Sequence, residues 1–109
     1  MKIARVYSDG SFIKIYEKGD RVKVVDHTGW LIENEELATV TDAVIDPQQV
    51  GVCIQTDAML RGSWNQVNIS NKSIEPYGKT LLEVPRLIQE WKESQVKTLL
   101  IGEIHAQNG

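Results

Sequence analysis

Apolar and polar positions alternate with period two along most of the chain up to Tyr77, and the spacing turns helical beyond it. Residues 2–7 and 11–17 flank Asp9-Gly10, a dipeptide that favours tight reversal, and predict an N-terminal hairpin. Its second arm sets Phe12 and Tyr16 on one face and Ile13 and Ile15 on the other, so cover on both faces is expected. After Gly19-Asp20, strands are predicted at about 21–26, 38–45, 50–56, 65–70 and 74–77. Asp46-Pro47 and Asn71-Lys72-Ser73 read as turns between them, and residues 27–36 and 57–64 as longer loops. Several short strands at this spacing predict a small all-β barrel over 18–77.

Beyond Gly78, the residues Val84, Leu87, Ile88 and Trp91 share one helical face, and Pro85 suits a first turn. The spacing predicts an amphipathic helix over 84–94. From Val96 the stripe loses phase: Leu99, Leu100, Ile101 and Ile104 would surround a continued helix, whereas period two favours a strand that joins the hairpin. Strand and continued helix both stay open at this point. The chain is read as one domain, with a hairpin at 1–17, the barrel at 18–77 and the C-terminal segment at 78–109, an α+β arrangement dominated by β structure.

Composition narrows the functional classes. The chain has 109 residues and a net charge of −3. Residues 18–78 hold Lys18, Arg21, Lys23, Arg61 and Lys72 against nine acids, so the acidity lies on the predicted barrel. A polyanion partner wants a basic face, and nucleic acid is disfavoured on that ground. One cysteine leaves no internal disulfide, and neither a signal-like apolar core nor a membrane-length run is present. The expectation is a cytoplasmic protein without membrane attachment.

The opening Gly19-Asp20-Arg21-Val22, the long first loop, two alternating strands and the ending Glu75-Pro76-Tyr77 resemble the Src-homology-3-like small barrels, bacterial members and the KOW motif among them. The KOW pattern implies a glycine-rich turn after the first strand, where this chain has Gly29 alone. Gly19-Asp20-Arg21-Val22, Trp30 and Val67-Asn68-Ile69-Ser70 also resemble the plasmid-type (type II) dihydrofolate reductases. In those enzymes a Val-Gln-Ile-Tyr strand lines the pore, and Asn68 and Ser70 stand here in place of the glutamine and tyrosine. The resemblances imply three functions: a protein-binding module of bacterial or mobile-element type, a nucleic-acid-binding barrel, and a folate reductase. The first fits the acidic barrel best.

Candidate chemistry is sparse. His27, His105 and Cys53 show no zinc spacing, Cys53 lies in an apolar strand as a buried thiol, and no nucleophile–base set is assembled. No catalytic residue, metal or cofactor is therefore assigned. Glu33, Glu35 and Glu36 form the densest charge cluster, and Trp30, Trp64 and Tyr77 are aromatic residues in or beside loops. Small barrels of the resembled kind present a groove beside the first loop. With Arg61, these residues are the predicted binding face for a protein segment, aromatic anchors inside a charged rim. Val84, Leu87, Ile88 and Trp91 are the predicted contact of a homodimer.

Overall fold

The structure, a computed structural model, describes residues 1–29, 32–59 and 66–108, the last stretch with backbone alone from 98. In chain order the described elements are β1 (Lys2–Val6), β2 (Phe12–Ile15), β3 (Arg21–Val24), β4 (Leu37–Ala43), β5 (Gly51–Thr56), β6 (Val67–Ser70), β7 (Ile74–Pro76) and α1 (Gly78–Asn108).

β1 and β2 pair as the predicted hairpin. Gly10 takes φ +90°, a conformation that L side chains rarely adopt, and its N–H donates to the Tyr7 carbonyl at 3.0 Å. Asp9 completes the turn by accepting from the Ser11 hydroxyl at 2.6 Å and the Ser11 N–H at 2.9 Å. Those bonds, the hydroxyl's first, hold its carboxyl below the usual carboxylate range.

The other strands form one antiparallel sheet in the order β6-β5-β4-β3-β7. The last strand therefore returns to the first of the five, pairing Val22 with Pro76 and Val24 with Ile74. Among the described residues no ladder joins β6 to β7. What is established is a mainly β architecture of two antiparallel sheets with one C-terminal helix.

Alternation explains the core. Val22, Val24, Ala38, Val40, Val52, Ile54, Ile69 and Ile74 point inward from successive strands and are buried. Tyr16, Ile32, Met59 and Val84 join them from the hairpin, two loops and the helix. Each fully buried Val or Ile contributes about 1.5–3 kcal/mol, which makes this inward set the main stabilising term. The hairpin is covered less evenly than its pattern predicts: Ile15 and Tyr16 are buried, Phe12 is half-buried, and Ile13 is exposed.

The helix departs from the expected boundaries at both ends. It starts at Gly78, so Pro85 is its eighth residue and not part of its first turn. Proline offers no N–H to the carbonyl four residues back, that of Leu81, which occupies an exposed position. At the other end the helix runs on through residues 96–104 to Asn108. The strand reading of that segment is wrong, and the continued-helix alternative holds. The start is tied to the sheet by Thr80, a buried residue whose Oγ1 accepts from the Arg21 N–H at 2.9 Å.

Candidate interaction surface

The loop between β3 and β4 carries the predicted acidic cluster. Glu35 adopts φ +75°, and its N–H donates to the Val24 carbonyl at 2.7 Å while the Val24 N–H donates to the Glu36 carbonyl at 2.9 Å. Glu36 turns its carboxylate back on the Glu33 N–H at 2.8 Å. The buried Ile32 anchors the loop to the core. Glu33 and Glu35 are exposed and Glu36 is half-buried.

Glu35 does not face solvent alone. Lys23 Nζ lies 3.4 Å from its carboxylate and 3.3 Å from that of Glu75. The Glu75 contact first, and then the charge of Glu35, raise the Lys23 pKa. Two acids thus share one cation at the surface. Tyr77, the aromatic residue after β7, is partly exposed, and its N–H donates to the Arg21 carbonyl at 2.9 Å. Trp30, Arg61 and Trp64, the other members of the predicted binding face, lie outside the described residues.

The helical stripe is placed fully. Val84 is buried in the core, and Leu87 and Ile88 pack against it from half-buried positions. Trp91 is half-buried, and its indole N–H donates to the Ala4 carbonyl of β1 at 3.2 Å. These four residues, expected at a subunit contact, are used first to dock α1 onto the chain's own hairpin and sheet. The apolar residues that remain outside lie on other parts of the helix. Leu82 is 81% exposed and Val96 55% exposed, with Leu81 also outside. Leu82 and Val96 are two heptads apart and fall near one face at 100° per residue. A shallow groove of about 290 Å³ runs along that face, lined by Gln89, Lys92, Glu93, Val96 and Lys97.

Beyond these sites the sequence reading missed two polar assemblies. Arg21 makes a two-point ion pair with Asp57, Nη1 to Oδ1 and Nη2 to Oδ2 at 2.9 Å each, and Nη1 also donates to Thr39 Oγ1 at 2.9 Å. The second assembly joins hairpin, sheet and turns. Gln49 Oε1 accepts from the Tyr16 N–H at 2.8 Å and from Asn71 Nδ2 at 2.7 Å, while its Nε2 donates to the carbonyls of Tyr16 and Val44. The fully buried Tyr16 donates its hydroxyl to the Ile74 carbonyl at 3.0 Å. Burial, followed by the charges of Asp20 and Glu75, pushes that phenol's pKa far above its ordinary value. The only sequence signal for this network was Tyr16 itself, since partners 33 and 58 positions away leave no periodic trace.

Among the described residues no cluster of His, Cys, Asp or Glu could hold a metal ion, and no helix is long and apolar enough to cross a membrane. Cys53, expected to be buried, is half-buried on β5. No protein-family model, curated protein or solved structure gives a significant match to this chain.

Proposed function

We propose that this protein is a non-enzymatic interaction module: a small Src-homology-3-like barrel that carries a helical arm for binding protein, with a second copy of itself as the first partner. The barrel reading draws support from the strand order, in which β7 returns beside β3 after an antiparallel run through β4, β5 and β6.

The helical arm carries the functional reading. α1 has 31 residues, about 46 Å at 1.5 Å per residue, and its docking residues lie between Thr80 and Trp91. The molecule measures 62 × 22 × 22 Å, and its radius of gyration of 17.1 Å exceeds the roughly 13 Å of a compact domain this long. A helix that extends past its docked part gains stability when its apolar positions find a partner, because in proteins most helical stability comes from packing an apolar face. The arm's sequence past the docked part contains Val96, Leu99, Leu100, Ile101 and Ile104.

A second copy suits the arm because its charges are self-complementary. From Lys79 onward, Lys79, Arg86, Lys92 and Lys97 are balanced by Glu83, Glu90, Glu93 and Glu103. Two such helices meet without net repulsion, and interleaved charges beside an apolar seam favour their pairing. Sedimentation of the full chain over a range of concentrations tests this reading. A species that stays monomeric at high micromolar concentration would remove it.

A further inference from the structure

A second site lies away from both the acidic loop and the helical arm. β2, the β4–β5 turn and the turn after β6 enclose a cleft of about 400 Å³, within the range of small-ligand pockets. Ile13, Pro47 and Val50 supply apolar wall, and Val50 is 79% exposed although nothing polar in its side chain needs water. Lys14 and Lys72, both cationic, also line this cleft.

Lys14 is the informative residue. Its stem is half-buried, and its Nζ stands 5.7 Å from the centre of the Tyr16 ring. Among the described residues no carboxylate forms an ion pair with it. The nearest acidic influence is the charge of Glu75, which is itself paired with Lys23 at 3.3 Å. Partial loss of water lowers the Lys14 pKa, and Glu75 opposes that only in part. A half-desolvated cation without a paired anion is costly to maintain and is well placed to receive one.

The floor of the cleft is already satisfied. Asn71 Nδ2 donates to the Lys14 carbonyl and to Gln49, and both protons of Gln49 Nε2 are used. The donors left for a ligand include the Lys14 and Lys72 ammonium groups, the Gln48 carboxamide and the Ser70 hydroxyl, which accepts from the Lys72 N–H at 3.2 Å and keeps its own proton. Two lysines and neutral donors beside an apolar wall define the ligand's chemistry. We propose that this cleft binds a carboxylate carried on an apolar group, with Lys14 as its principal cation.

Such a carboxylate has two sources, a free aliphatic acid or the C-terminal end of a peptide with an apolar last residue. The test is titration of the ¹⁵N-labelled full chain with hexanoate, with hexanol as the uncharged control, and with acetyl-Leu-Leu as free acid and as amide. Hexanoate is expected to shift the amide signals of Lys14, Val50, Asn71 and Lys72 saturably, and hexanol is expected not to. Lys14→Met, which keeps the stem over Tyr16, should weaken hexanoate about tenfold, and Lys72→Met about threefold. The dipeptide acid binding at least tenfold tighter than hexanoate would assign the site to chain ends, and equal affinities would assign it to free acids. No saturable shift at tens of millimolar, equal binding of hexanol, or unchanged affinity in both lysine variants would each overturn the proposal. The wild-type comparison and Lys72→Met, at an exposed position, decide the matter even if Lys14→Met were to fold poorly.

Discussion

Trp91 and Ala4, separated by 87 positions in sequence, are joined by an indole N–H to carbonyl bond of 3.2 Å. It is the outermost side-chain bond described between the helix and the hairpin. Val84 is buried in the core, and Leu87, Ile88 and Trp91 are half-buried against the chain's own body. Leu82 and Val96 are exposed.

Trp91→Ala should therefore destabilise the monomer, by about 2 kcal/mol for a half-buried indole, less than the 3–5 kcal/mol of a core site. Trp91→Phe, which keeps most of the ring and loses the bond to Ala4, should cost about 1 kcal/mol. Urea unfolding followed by circular dichroism at low micromolar concentration checks both. An unchanged midpoint in Trp91→Ala would show that the indole does not pack on β1.

Thr80 predicts a second stability effect at the other end of the docked segment. Thr80→Val leaves the Arg21 N–H without its acceptor in a nearly closed position and should cost about 1–3 kcal/mol. Thr80→Ser keeps the oxygen and should cost less. Thermal unfolding of the pair separates the hydrogen bond from the methyl group.

Tyr16 makes the fold sensitive to alkali. Its phenol stays protonated in the folded state, whereas the unfolded phenol titrates near pH 10. The unfolded chain therefore binds fewer protons than the native one above that pH, and stability falls as pH rises through 10 and beyond. Tyr16→Phe should lose about 1 kcal/mol at pH 7, where the bond to the Ile74 carbonyl is missed. Its deficit should shrink steadily above pH 10. Chemical denaturation at pH 7, 10 and 11 measures the difference, and a constant gap would show that Tyr16 is not the titrating group.

Lys14 has the opposite sense. Its folded pKa is depressed by burial, so the protonated form is the less favoured one inside the structure. Stability contributed through this group is reduced at neutral pH and recovers as pH rises from the depressed value towards the unfolded one. Lys14→Met should accordingly keep or raise the melting temperature at pH 7. A clear drop would mean that the ammonium is held by a favourable contact.

The β part of this architecture was legible because its inward residues alternate. Val22 with Val24, Ala38 with Val40, and Val52 with Ile54 each mark a strand, and Asp9-Gly10 marks the hairpin. The helix was legible only where it is packed, from Val84 to Trp91. Its first turns were hidden by Pro85, which sits more comfortably at a helix start than at an eighth position. Its last turns were misread because Val96, Leu99, Leu100, Ile101 and Ile104 lose the helical stripe in the sequence and fit period two as well. The Gln49, Asn71 and Tyr16 network was invisible for a different reason: each partner comes from a separate turn or strand, and only the fold brings them together. Trp30, Arg61 and Trp64 lie outside the described residues, so the groove expected from them plays no part in the account.

The helical arm is tested most directly by sedimentation equilibrium of the full chain beside Leu82→Glu and Val96→Glu. Both substitutions fall on exposed positions and should leave the circular dichroism and melting temperature nearly unchanged. The wild type is expected to reach dimer mass as concentration rises into the high micromolar range, and each variant to remain monomeric there. A wild type that stays monomeric throughout, or variants that associate as strongly as the wild type, would contradict self-association through this face.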